Sequence, residues 1–183
     1  MMYGKDMIVK QNYPVQKKGT LSAAYNGGSI VPDIVVGGTK NKLTSQYTFT
    51  AQDEAFVVNK LTIINDNLAS ADFDDPATSY AIDKIQIQYP KMIKGVPTYV
   101  YATGVLSSGS YTFSNLNFYV PKNNVATLKV YADITNITSN LYLLSGRKFN
   151  LGLRQNNAIS QFEAIGQSSQ AKEHFLTANK ITN

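Results

Sequence analysis

Apolar, β-branched and aromatic residues recur at every second position through most of the chain, and Gly, Asn, Asp or Pro break the runs at short intervals. In "YTFTAQDEAFVVNKLTIIND", residues 47–66, Tyr47 and Phe49 fall on one face of a run, and Val57, Leu61 and Ile63 share one face of the next. Such alternation marks half-buried strands, whose side chains point to opposite faces in turn. The runs occupy 7–15, 19–25, 44–51, 55–65, 80–89, 97–103, 110–120, 125–134, 147–153, 159–165 and 173–181. Strands at this spacing predict an all-β fold, an antiparallel β-sandwich of immunoglobulin-like or jelly-roll type. Only "SQAKEHFLTANK" admits a helical turn, and an extended reading of Phe175, Thr177 and Asn179 competes with it.

The connections follow from the breaker residues. "AQDEA" separates two runs, and Asp and Glu are poor strand formers, so Asp53 and Glu54 are expected at a water-exposed corner rather than in a catalytic or metal site. In "SNLNFYVPKNNVATLKVYADIT", Leu116, Phe118 and Val120 alternate inward, residues 121–124 turn, and Val125, Leu128, Val130 and Ala132 return. This reads as a hairpin, with a bulge near Ala126. The organisation expected is a single β-sandwich domain over 19–183, preceded by an arm or first strand over 1–18. Its length suffices for a core without cross-links, and with no Cys none can form.

Little in the chain supports catalysis. The absence of Cys excludes thiol nucleophiles and thiolate zinc, and the single histidine, His174, excludes multi-histidine metal centres and comes with no G-x-S-x-G nucleophile. Gly27-Gly28 and Gly37-Gly38 lack the Lys-Ser/Thr or helix of a phosphate loop, and read as loop residues of positive φ. Asp66, Asp72, Asp74 and Asp75 form the densest acidic stretch; they are a solvated loop or, in the sharper reading, oxygen ligands for calcium, although the spacing is not that of an EF-hand. Tyr99 and Tyr101 share one strand face, either as core or edge residues or as an exposed strip for stacking on glycan.

Net charge is +5, but the basic residues are scattered, which argues against a nucleic-acid surface. No run approaches the roughly 20 apolar residues of a spanning helix, so membrane insertion is not expected. Charged residues are only 16% of the chain, while Tyr, Asn, Thr and Ser abound, a balance that suits an extracellular or cell-surface setting.

Three stretches carry a resemblance: "GTL" at Gly19–Leu21, leading through "VVGGT" at Val35–Thr39 to "FTAQDEAFVVNKLT" at Phe49–Thr62, and then the segment Phe113–Ile134 ending "VYADI". Together they resemble a repeated, immunoglobulin-like β-sandwich domain of large bacterial secreted and cell-surface proteins. The resemblance implies a non-enzymatic structural unit of an extracellular filament, surface layer or adhesin, with copies of itself or neighbouring surface-protein domains as partners. It also implies that the chain is a mature or excised segment, since no signal peptide opens it. A glycan- or surface-binding module is the alternative.

The arm adds a mode of assembly. In "MIVKQNYPV", Met7, Val9, Tyr13 and Val15 share one face, and Pro14 suits an edge strand. The arm either forms the first strand of its own domain or completes the open edge of a neighbouring copy by strand addition.

Overall fold

The computed structural model describes residues 18–30, 33–65, 81–136, 150–153 and 162–174. They form ten strands: β1 (Thr20–Tyr25), β2 (Lys42–Gln52), β3 (Phe56–Asn65), β4 (Ile82–Ile93), β5 (Val96–Gly104), β6 (Ser110–Val120), β7 (Val125–Ile134), β8 (Leu151–Gly152), β9 (Phe162–Gly166) and β10 (Lys172–His174). The order is β1-β2-β7-β4-β6-β3-β9-β10, with β5 paired to β4 and β8 to β3. All of these pairs are antiparallel. The protein is all-β, and residues 172–174 are extended, not helical. The first run, 7–15, lies outside the described residues.

The sheet curls on itself. Phe49 of β2 meets the rings of Phe118 on β6 and Phe162 on β9, with centroids 4.9 and 5.3 Å apart and edge-to-face geometry. Around these rings Phe56, Leu61, Ile63, Ile85, Ile87, Leu128 and Leu151 are all buried. The curl turns on β4, whose first half pairs with β7 from Ile82↔Ile134 to Gln88↔Lys129. Its far end instead meets β6 at Lys91↔Phe118. Pro90 falls between these two pairings, where the strand changes neighbour and a missing N–H costs no ladder bond.

Two local expectations are corrected. Residues 116–134 do not form a hairpin, because β6 pairs with β3 while β7 pairs with β2 and β4. The turn after Val120 carries the chain from one part of the curled sheet to another, and the β2–β3 corner runs beside it. Asp53 N–H donates to Asn123 Oδ1 at 2.8 Å, and Ala51 N–H to the Asn124 carbonyl at 3.1 Å. The β2–β7 ladder is unbroken from Ser45↔Val130 to Thr50↔Val125, so no bulge stands at Ala126; Ala126 is buried and Val125 exposed.

A bulge does occur in β3, between Val58 and Lys60, and it shifts the register against both β6 and β9. One extra residue exchanges the two faces of the strand. Phe56 and Val58 are therefore buried before it and Leu61 and Ile63 after it, and Val57 does not share their face. Of the four loop glycines only Gly38 has positive φ; Gly27 opens a short 3-10 turn.

Candidate interaction surface

β4 and β5 form the hairpin that sequence reading passed over. Lys94 and Gly95 make a two-residue loop with φ of 49° and 81°, both central residues left-handed as a type I′ turn requires. The signal was present in "IKGV", a Gly at the second loop position between two β-type runs. Pairing runs from Ile93↔Val96 to Ile85↔Gly104.

This register fixes where the backbone of β5 points. The pair flanking a two-residue loop exchanges both bonds, and hydrogen-bonded and non-hydrogen-bonded pairs then alternate along an antiparallel ladder. Tyr99, Tyr101 and Thr103, opposite Pro90, Gln88 and Gln86, are thus non-hydrogen-bonded toward β4. Their N–H and C=O groups point to the free side of β5, which has only β4 as a neighbour among the described strands. Pro97 falls in the same phase, so its missing donor also faces outward.

The side chains are as open as the backbone. Tyr99 and Tyr101 are 55% and 57% exposed, while Val100 and Ala102, on the other face, pack partly against the core. Val96, Met92 and Ile93 extend the exposed apolar surface to the hairpin tip. The sequence thus placed the two tyrosines correctly on one face, and that face is the outer one. From it a short polar chain crosses the sheet: Gln88 Nε2 donates to Tyr101 Oη at 2.6 Å, and Tyr131 Oη donates to Gln88 Oε1 at 3.4 Å. Burial, and then the neighbouring Tyr101, push the Tyr131 phenol above its ordinary pKa.

The acidic corner is a different kind of place. Asp53, at φ 67°, makes the expected turn, but Glu54 is 1% exposed. The expectation of two carboxylates in water fails at this residue. Its Oε1 accepts from Gly19 N–H at 2.9 Å and Ser169 Oγ at 2.7 Å, and its Oε2 from the N–H groups of Ser168 and Ser169, each at 2.9 Å. Burial works to raise its pKa, but the combined donors of Ser169, Gly19 and Ser168 outweigh burial and hold it at about 2. Glycines make the room, since a Cβ on Gly166 would stand 2.5 Å from Glu54 Oε2 and one on Gly19 2.5 Å from Glu54 Cγ. The carboxylate therefore fastens the start of β1 and the β9–β10 turn to the β2–β3 corner. With both oxygens occupied by fixed protein donors, Glu54 is a structural anchor rather than an acid poised for chemistry.

Met7, Val9, Tyr13 and Val15 lie outside the described residues, as do Asp66, Asp72, Asp74 and Asp75. His174 belongs to β10. Among the described residues no three His, Asp or Glu side chains are grouped to hold a metal, and no helix is long and apolar enough to cross a membrane. The described acids other than Glu54 include Asp33, Asp83 and Asp133, each paired with a lysine. No protein-family model, curated protein or solved structure matches the chain.

Proposed function

We propose that this protein is a non-enzymatic structural unit of an extracellular assembly, a filament, surface layer or adhesin, in which copies or neighbouring domains join edge to edge by strand addition. The observation that carries the reading is β5: an edge strand of nine residues, uncharged throughout, with exposed Val96, Tyr99 and Tyr101 and outward-facing backbone groups. Soluble proteins blunt such edges with lysine, bulges or a covering loop, because an open edge is a template for another strand. Among the described residues Pro97 alone blunts it. The curled sheet with buried rings between its parts is compatible with the immunoglobulin-like or jelly-roll sandwich implied by the "GTL" and "FTAQDE" resemblance, and the hydroxyl-rich, weakly charged composition suits a place outside the cell.

A second reading, a glycan- or surface-binding module, draws on the same outer face, where Tyr99, Tyr101 and Gln88 offer ring faces and amide groups side by side. Electron microscopy and sedimentation of the purified protein over a rising concentration series separate the two. Ordered oligomers or fibres support the structural unit. A monomer at every concentration, with glycan binding lost in Tyr99→Ala, overturns it in favour of the module.

A further inference from the structure

We infer that β5 pairs with β5 of a second copy, antiparallel across a two-fold axis at Tyr101, so that one continuous sheet runs through both molecules. Self-pairing at β5 rests on the edge-to-edge reading above and names what fills the edge.

Charge selects the occupant. Residues 95–121 contain no Asp, Glu, Lys, Arg or His, in a chain whose net charge is +5. Like charges directly opposite across a strand pair are destabilising, and β5 laid against itself meets none. The other edge strands among the described residues suit self-pairing less well: β10 reads Lys172-Glu173-His174, and β1 exposes only Thr20, Ser22 and Ala24. The lysines nearest β5, Lys91 and Lys94, sit toward the hairpin tip, and antiparallel pairing sends the two tips in opposite directions.

Backbone phase selects the register. Only residues whose N–H and C=O face outward can form hydrogen-bonded pairs with the second copy, and the complete ones on β5 are Tyr99, Tyr101 and Thr103. Placing Tyr101 opposite itself pairs Tyr99 with Thr103 of the other copy, and Thr103 with its Tyr99. Every complete donor–acceptor residue is then used, and Pro97, which has no N–H, is left beyond them. A register with Tyr99 opposite Tyr101 instead sets Pro97 against Thr103 and forfeits a bond at each end. Tyr101 against Tyr101 also places aromatic side chains side by side, a favourable cross-strand pair. The interface is isologous, so it closes pairs; a longer filament requires a second joint elsewhere.

The absence of cysteine makes the test clean. Tyr101→Cys introduces the sole thiol of the chain, and a short bismaleimide is expected to capture it as a covalent dimer. Val125→Cys, at an exposed position on another strand, is expected not to be captured. Tyr101→Lys places two like charges on the axis and is expected to raise the dimer dissociation constant, read by sedimentation equilibrium, by about tenfold or more with an unchanged circular dichroism spectrum. Assembly without capture at position 101 overturns β5 self-pairing and leaves edge-to-edge joining standing. Capture that disappears on deleting residues 1–16 gives the edge to the arm of a neighbour, and likewise overturns self-pairing. A protein that stays monomeric at the highest soluble concentration overturns both.

Discussion

The β2–β3 corner and the β4–β5 hairpin make opposite use of backbone donors. At the corner three N–H groups, one from the start of β1 and two from the β9–β10 turn, converge on a buried carboxylate, and glycines clear the space for it. At the hairpin the outward groups of Tyr99, Tyr101 and Thr103 have no strand beside them among the described residues, and the side chains around them are apolar and exposed. A buried polar group without a partner is expensive, whereas a solvated edge is inexpensive until another strand offers a better exchange. The corner is therefore where stability is concentrated and the hairpin where association is possible. Substitutions at the first should move the melting curve, and substitutions at the second should move only the oligomeric state.

The largest effect is expected from Glu54→Ala. It strands the Gly19, Ser168 and Ser169 donors and removes a charge-assisted set, at a cost of about 3–5 kcal/mol in urea denaturation. An effect below about 1 kcal/mol would erase the contrast between the two regions. Acid titration sharpens the same point. The folded-state pKa of Glu54, about 2, lies below the ordinary 4.5, so its contribution is present in full above the unfolded value and is lost as pH falls from about 4.5 to about 2. That difference corresponds to about 3 kcal/mol. Glu54→Gln should show a correspondingly weaker loss of stability across this window when wild type and variant are compared by denaturant midpoint.

Gly166→Ala is expected to cost about 1–3 kcal/mol, because its methyl group would press on the Glu54 carboxylate. An unchanged midpoint would mean that the corner has slack. Asp53→Asn should stay within about 0.5 kcal/mol: asparagine tolerates a left-handed backbone, and the bond to Asn123 uses the backbone N–H of residue 53. Two adjacent acidic residues would thus differ several-fold in consequence. Smallest of all is the expected effect of Tyr101→Lys on the thermal midpoint of dilute protein, since position 101 faces solvent.

Strand positions were legible because period two survives any tertiary context: β1 to β7 fall within a few residues of the runs read from sequence. Pairing was not. A four-residue turn after Val120 looks alike whether the chain folds back beside itself or crosses to another part of the sheet, and only the partners β2 and β3 decide. The β3 bulge was invisible for a related reason, since Val57, Leu61 and Ile63 keep their spacing in sequence while one extra residue exchanges the faces. Prolines at 90 and 97 obscured the true hairpin, although each sits where no bond to the facing strand is required.

Glu54 was misread because Asp-Glu between strands is a common solvated turn, and the donors that bury it lie 35 and more than 100 residues away. The clue lay in the motifs themselves. Gly19 of "GTL" and Glu54 of "FTAQDE" both stand in the stretches that carried the family resemblance, and they are bonded to each other.

Amide hydrogen exchange compares the two regions in a single experiment. In dilute protein the N–H groups of Gly19, Ser168 and Ser169 should be protected by Glu54, and those of Tyr99, Tyr101 and Thr103 should exchange quickly. On concentration the second set should slow while the first stays as it was. Fast exchange at Ser168 and Ser169, or β5 amides indifferent to concentration, would contradict the division of the molecule into an anchored corner and an open joining edge.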